Sequence, residues 1–243
     1  MTKTFAWAIL LLIASPLAAG IIQFNAVTPA GGGFSFTDDF NRGSIGGDWN
    51  DVSSAYSISG SAYLTVSSSA TIVHTTTTAD RTQWACVEKE SGAGTYGGLK
   101  FRLSNTSDTG VSYVLRWNSS SEVAFRYCTG TSCNNVGSTW ANGIGVGEYI
   151  CGDVRYTGAD TEMAAWDMGG GGPGARGSWG DADHCWCSSG TCVHPDCGTA
   201  TKDSSSPGSV ADCSTEATCY VGLYTGDSTA TGFDNYSAGV DGS

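Results

Sequence analysis

Apolar and polar residues alternate in short runs from about residue 36 onward. Stretches 62–66 (AYLTV) and 97–103 (GGLKFRL) place apolar side chains at every second position, which puts successive side chains on opposite faces of a strand. Glycine, serine and aspartate separate the runs, and helical periodicity is hard to find. The pattern predicts an all-β protein of two antiparallel sheets joined by tight turns.

Two hairpins are expected in the centre of the chain. Residues 111–117 and 123–128 flank a serine-rich turn, and residues 148–157 and 162–167 flank a second turn. Serine, asparagine, glycine and aspartate favour turns. We therefore expect each pair of runs to form neighbouring antiparallel strands.

Residues 169–217 break this pattern. A glycine run opens the segment, and a stretch crowded with Cys, Ser, Asp and Gly follows it. We find no periodicity there and interpret the segment as a long, disulfide-rich surface insertion loop. Loops of this length are usually functional or disordered.

The N-terminal segment has the pattern of a secretory signal peptide. A short basic start precedes the apolar run FAWAILLLIA, and small residues follow it. We expect residues 1–20 to be this peptide, 21–35 a flexible lead-in, and 36–240 the β-domain. An uncleaved membrane anchor is the alternative, but Pro16 interrupts the apolar run.

The charge balance bears on partners and location. The chain has 11 Lys and Arg against 23 Asp and Glu, a formal net charge of -12. An acidic surface repels phosphate backbones, which argues against nucleic acid as a partner. The surface suits a secreted or cell-surface protein that meets neutral glycans or cations.

The ten cysteines predict disulfides in an oxidising compartment. Expected pairs are Cys86–Cys151, Cys128–Cys133 and Cys213–Cys219, and the other connections stay open. Zinc is the alternative for the segment from His184 to Cys197, although its Cys spacing is not that of a familiar finger. The full set is Cys86, Cys128, Cys133, Cys151, Cys185, Cys187, Cys192, Cys197, Cys213 and Cys219.

Four segments carry a family resemblance: DDFNR…GDWN, GLKFRLSN…GVSYVLRWNSSSEVAFRY, GEYICGDVRYTGADTEMAAW and YVGLYTGDSTATGFDNYSAG. In this order they resemble the concanavalin A-like, laminin G-like jelly rolls over roughly residues 36–168 and 218–239. The resemblance implies a two-sheet antiparallel jelly-roll sandwich whose first and last strands are neighbours. Its members include lectins, carbohydrate-binding modules, glycoside hydrolases and lyases, so the fold alone does not settle the function.

The resemblance also suggests a structural calcium ion. Several relatives hold one between an early acid and a late Asp, which implies Asp38, Asp39 and Asp234 as ligands here. Carboxylate oxygens suit Ca²⁺. The alternative is that these acids cap turns.

Catalysis has weak support in the sequence. Glycoside hydrolysis needs two carboxylates about 5–10 Å apart, and the relatives' E-x-D-x-x-E strand is missing. Glu88 and Glu90 come closest, since residues two apart share a strand face. A charged, solvated strand end is the simpler interpretation.

Glycan binding is the favoured function. Sugar sites combine aromatic platforms with polar side chains, and alternation suggests that one sheet face carries Glu88 among several of the candidates. Core packing is the alternative for most of the tryptophans. The candidates are Trp84, Arg102, Arg116, Trp117, Arg126, Trp140, Asp153 and Trp166.

The sequence therefore predicts a secreted, non-catalytic domain that binds glycan or cell-surface polysaccharide, or acts in adhesion. A self-assembling subunit of a filament, coat or surface layer is the first alternative. A hydrolase or lyase with an atypical site is the second.

Overall fold

In the computed structural model, the described residues form two antiparallel sheets that pack face to face, without a helix. The described ranges are 35–60, 62–66, 70–75, 82–91, 96–103, 105–118, 122–130, 132–135, 139–141, 144–156, 161–168, 185–188, 191–194, 198–201, 219–226 and 231–240.

Sheet A has the order β16-β15-β14-β13-β12-β6-β18-β4-β3, and β1 pairs with the far half of β18. Its strands are β1 (Ser35–Asp38), β3 (Tyr56–Ser59), β4 (Tyr63–Val66), β6 (Thr82–Ser91), β12 (Glu148–Tyr156), β13 (Thr161–Met168), β14 (Cys185–Ser188), β15 (Thr191–His194), β16 (Gly198–Thr201) and β18 (Thr231–Val240).

Sheet B has the order β10-β9-β8-β7-β17-β5-β2, and the short β11 pairs with β9. Its strands are β2 (Trp49–Asp51), β5 (Ala70–His74), β7 (Gly97–Leu103), β8 (Val111–Asn118), β9 (Glu122–Thr129), β10 (Ser132–Asn135), β11 (Trp140–Ala141) and β17 (Tyr220–Thr225).

The core lies between the sheets and is built from alternate residues of each strand. In sheet A, β6 and β12 contribute Val87 and Ile150, and in sheet B, β7 and β8 contribute Leu99 and Leu115. Each of these side chains is fully buried. The residues between them therefore point to the outer faces of the sandwich.

The predicted all-β, two-sheet antiparallel jelly-roll sandwich is confirmed. The first and last strands are neighbours, as the resemblance implied, with Phe36 opposite Ala238. Both expected hairpins form, β8 with β9 and β12 with β13.

Two predicted disulfides are also confirmed. Cys86–Cys151 links β6 to β12, and Cys128–Cys133 links β9 to β10. Cys219 is disulfide-bonded as well, but its expected partner Cys213 lies outside the described residues. The bonds fit the oxidising environment of an extracellular protein.

The insertion contributes backbone to sheet A, which its sequence did not reveal. Strands β14, β15 and β16 continue the sheet beyond β13. Each has only four residues, too few for a two-residue period to stand out. Describing the whole of residues 169–217 as a loop is therefore wrong for these three short stretches.

The N-terminal signal peptide and the lead-in to residue 34 lie outside the described residues, so both stay predictions. Within the described ranges, no helix has the length and apolar character needed to cross a membrane.

Candidate functional site

The outer face of sheet B carries a group of charged and aromatic side chains that we call the cationic face: Tyr96, Lys100, Arg116, Arg126 and Tyr224. Strand register places Arg126 beside Val114 and Val114 beside Lys100. The next row runs from Arg116 through Gly98 to Tyr224.

Two tyrosines hold Arg116 in place. Its guanidinium carbon lies 4.4 Å from the centre of the Tyr96 ring, an attractive cation–π distance. Tyr224 lies in the same cross-strand row beyond Gly98, close enough to interact electrostatically with Arg116. Burial lowers the pKa of Arg116, and the positive charge of Arg126 lowers this pKa further.

Arg126 is anchored at one end only. Its Nη2 donates to the carbonyl of Cys133 on the neighbouring strand β10. The Nε atoms of Arg126 and Arg116 are both buried without a hydrogen-bond partner. Since buried donors are nearly always paired, these two atoms call for an explanation.

Lys100, the third cation of this face, is already neutralised. Its Nζ pairs with the Asp108 carboxylate and lies 3.3 Å from the Thr71 hydroxyl. Lys100 is fully buried. Burial lowers the pKa of Lys100, and the Asp108 charge opposes that effect. The Lys100–Asp108 pair is thus a buried part of the cationic face whose charges are already matched.

Glycines keep the floor of the cationic face low. A side chain at Gly98 would collide with the backbone of Leu115. At Gly226, an added Cβ would lie 2.7 Å from the Tyr224 hydroxyl. At these positions no side chain stands beside the guanidinium of Arg116 and the rings of Tyr96 and Tyr224.

The opposite side of the sandwich is acidic. The outer face of sheet A carries Glu88, Tyr149, Asp234 and Asn235, which we call the acidic face. Asp234 lies directly across from Glu88 in the ladder. Asn235 follows in a bulge with φ +47°, and its Nδ2 donates to Glu88 Oε2 at 2.7 Å. The bulge therefore turns an amide onto the carboxylate.

The acidic face shifts the protonation of its own members. The pKa of Asp234 is raised to about 7, first by burial and then by Glu88, Glu90 and Asp39, against the backbone hydrogen bond from Asn235. Burial and the adjacent Glu88 also raise the pKa of Tyr149. Raised carboxyl pKa values occur often at functional sites.

The structure does not bring the predicted binding residues onto one sheet face. Arg102, Arg116 and Arg126 belong to sheet B, whereas Glu88 and Asp153 belong to sheet A. The expectation of a single lining is wrong, because alternation within a strand does not say which sheet the strand joins.

The predicted tryptophan platforms that the structure describes are buried. Trp117 packs in the core, 5.7 Å from the ring of Phe233. Trp84 lies beside the Cys86–Cys151 disulfide on the outer side of sheet A. Each is 1% exposed. Trp140 lies on β11 and Trp166 on β13, but their side chains lie outside the described part.

The predicted calcium ligands fit a metal poorly. Asp38 accepts hydrogen bonds from Arg42, from the indole of Trp49 and from the backbone of Phe40. Both its oxygens are therefore already used. Within the described residues, no group of three or more His, Cys, Asp or Glu could hold a metal ion. Calcium at Asp39 and Asp234 stays a prediction.

Zinc binding by the segment from His184 to Cys197 stays an alternative prediction. His184 and Cys197 lie outside the described residues. The backbone of β14 and β15 places Cys187 opposite Cys192.

Sequence reasoning missed Tyr96, Tyr224 and Asp108 as parts of a site on the outer face of sheet B. Tyr224 had a signal, since it alternates with the apolar Val221 and Leu223. Tyr96 and Asp108 lie in loops, where no period predicts direction.

No protein-family model matches the chain, and no curated protein does. Solved structures with a similar fold include the carbohydrate-binding module CBM66 from Bacillus subtilis (13% identity, 77% of this chain and 93% of that chain, TM-score 0.46). Another is a β-glucanase of Bacillus licheniformis (11%, 87% and 100%, 0.48). A third is an immunostimulatory antigen and pseudo β-1,3-glucanase of Mycobacterium tuberculosis (9%, 86% and 98%, 0.49). Similarity at this level concerns the fold alone.

Proposed function

We propose that the protein is a non-catalytic carbohydrate-binding or adhesion domain whose binding surface is the cationic face. The observation that carries the proposal is Arg116 lying on the Tyr96 ring, in the same cross-strand row as Tyr224. Sugar rings stack on aromatic faces, and their hydroxyls need donors beside those faces. The cationic face offers both, and its two tyrosines are only partly buried.

Binding is favoured over cleavage on this face because, among the residues that the structure describes, no unengaged carboxylate lies there. Hydrolysis needs an acid and a base or nucleophile on either side of the bond. Among the described residues of this face, Asp108 is held by Lys100. Glu122, at the edge, accepts a hydrogen bond from Asn118. Neither carboxylate is free to protonate a leaving group.

The test is glycan binding by the purified protein and by Tyr224→Ala. Base or sugar stacking on one aromatic ring contributes roughly 1–3 kcal/mol in comparable sites, so we expect at least a fivefold weaker affinity by calorimetry. Tyr63→Ala is the matched control, since Tyr63 lies on the outer side of sheet A. Equal losses in both variants, or no binding to a broad glycan array, would refute the proposal.

A second candidate function rests on the acidic face. Glu88 and Asp234 lie across from each other, and the pKa of Asp234 is raised to about 7. A protonated acid beside an ionised one is the pairing that glycosidases use. Hydrolysis of a polysaccharide by the wild type, abolished in Glu88→Gln with folding intact, would establish this function. Activity unchanged by that substitution would exclude Glu88.

Self-assembly into a filament, coat or surface layer also stays a prediction. Electron microscopy of the native material distinguishes regular polymers from dispersed monomers.

A further inference from the structure

We propose that the cationic face selects acidic sugars, with Arg116 and Arg126 together receiving an oxyanion such as a carboxylate or a sulfate ester. This inference rests on the proposed function and specifies its ligand class. It concerns a charged substituent on the sugar, whereas stacking on Tyr96 and Tyr224 would serve neutral and acidic sugars alike.

Arg116 and Arg126 lie on the same face of adjacent strands. Arg116 is paired with Ala124, and Arg126 lies two residues further along the same strand β9. Such diagonal neighbours on one face are on the order of 7 Å apart. Burial is the main cause that lowers the pKa of Arg116, and the charge of Arg126 lowers it further. Like charges on neighbouring strands repel, and an anion between them would reverse the repulsion.

Neither arginine has a counter-ion among the residues that the structure describes. The ion pairs formed there are Arg42 with Asp38 and Lys100 with Asp108. The chain as a whole carries a net charge of -12, so carboxylates are abundant elsewhere. Two neighbouring arginines without an acid therefore stand out against the composition.

The unpaired Nε atoms point in the same direction. Both are shielded from solvent and have no acceptor among the residues that the structure describes, so each guanidinium keeps unused hydrogen-bonding capacity. A guanidinium presents its donors as a planar fork that matches an oxyanion with two oxygens. Both arginines are partly exposed, so an oxyanion would meet these forks from the solvent side.

An arginine pair cannot relieve its repulsion by losing a proton. The guanidinium stays charged throughout the accessible pH range, unlike a carboxylate pair, which can share a proton. Tyr96 and Tyr224 also hold Arg116 before any ligand arrives. Such preorganisation lowers the entropic cost of binding.

The experiment compares three ligands by calorimetry: a uronic acid oligosaccharide, the same oligosaccharide after reduction of its carboxyl groups, and a sulfated oligosaccharide of equal length. The variants are Arg116→Gln and Arg126→Gln, with Arg116→Lys and Arg126→Lys retaining the charge. Arg42→Gln is the control that removes one positive charge outside the cationic face. Near-ultraviolet circular dichroism checks the fold of each variant.

We expect wild type to bind at least one acidic ligand at least tenfold more tightly than the reduced one, and this preference to weaken with salt. Each glutamine variant should lose at least tenfold for the acidic ligand and less than threefold for the reduced one. The lysine variants should fall between, because they keep the charge but not the fork. Whether the uronate or the sulfated ligand binds more tightly tells which oxyanion the face prefers.

Equal affinity for acidic and reduced ligands would overturn the inference while leaving the proposed function standing. An acidic preference that survives both glutamine substitutions would also overturn it. Failure of every glycan to bind would reject the proposed function and this inference together. A glutamine variant that does not fold is replaced by its lysine counterpart, in which an unchanged preference for the acidic ligand would count against the fork.

Discussion

The acidic face of sheet A and the cationic face of sheet B each bring two like charges together. On one, Glu88 lies across from Asp234, and on the other, Arg116 lies diagonal to Arg126. Both pairs are partly buried. They differ in what relieves the repulsion.

A carboxylate pair has an internal remedy. Asp234 binds a proton more tightly than usual, with a pKa of about 7, and Asn235 satisfies Glu88 with its amide. The arginine pair has no such remedy, since a guanidinium does not deprotonate. On our proposal, similar crowding of charge is relieved by a proton on the acidic face and by a ligand on the cationic face.

The largest expected effect concerns the two disulfides whose partners are both described, one in each sheet. Cys86–Cys151 closes a sequence separation of 65 residues and Cys128–Cys133 one of 5. In the chain-entropy account, removing them costs about 4 and about 2 kcal/mol of unfolding free energy respectively. Urea unfolding of the two paired alanine variants measures both. Equal losses would show that loop length does not decide their contributions.

The next effect concerns the buried ion pair of the cationic face. Asp108→Asn leaves the buried Lys100 without its partner charge, and asparagine tolerates the left-handed conformation of Asp108, φ +53°. We expect a loss of about 3 kcal/mol in unfolding free energy. Asp39→Asn is the control, an exposed acid expected to change stability by under about 0.5 kcal/mol. A loss of unfolding free energy no larger than that of the control would mean that the folded protein accommodates Lys100 as a neutral amine.

The acidic face should destabilise the fold as pH rises. In the folded protein the pKa of Asp234 is raised from its ordinary value of 3.8 to about 7. The contribution of Asp234 to the free energy of unfolding is therefore complete below pH 4 and is lost as pH rises through 7. Since Asp234 is only half-buried, solvent screening reduces the effect to about 1 kcal/mol. Denaturant unfolding between pH 4 and 8 measures this slope, and Asp234→Asn should remove it.

His74 has the opposite effect between pH 4 and 8, since its contribution to stability increases as pH rises. Burial lowers the pKa of His74, against the pull of Asp48 and Asp38. Protonation therefore costs stability as pH falls below about 6.5, the unfolded pKa. His74 stacks on Phe36 with ring centres 3.7 Å apart. Comparing wild type with Asp234→Asn isolates the aspartate, and an unchanged slope would assign the pH dependence to other groups.

The smallest effect is spectroscopic. Glu88→Gln removes the nearest like charge from Asp234, so the pKa of Asp234 should move down toward its usual range. Carbon-13 titration of the Asp234 carboxyl follows this change directly. Glu122→Gln, which removes a charge from a strand of the other sheet, should leave the titration in place. An unmoved pKa would mean that burial, Glu90 and Asp39 raise it without Glu88.

Local pattern was enough to predict most of the strands, both hairpins and the Cys128–Cys133 disulfide. The two-residue period is a property of each strand, so 97–103 and 111–117 could be recognised without knowing their partners. Cys128 and Cys133 flank one tight turn, and that too is local information. Trp117 is buried, as the alternative of core packing predicted, because Trp117 and Leu115 are two residues apart and point to the same face of β8.

The sites depended on pairings that the sequence does not contain. Period two says which residues of a strand share a face, but not which sheet the strand joins, and so Glu88 and Arg116 were wrongly placed together. The bulge at Asn235 arises where β18 pairs with β6, a segment far away in the sequence. The sequence by itself determined strand faces because side-chain direction is local, whereas only the tertiary structure decided which charges became neighbours.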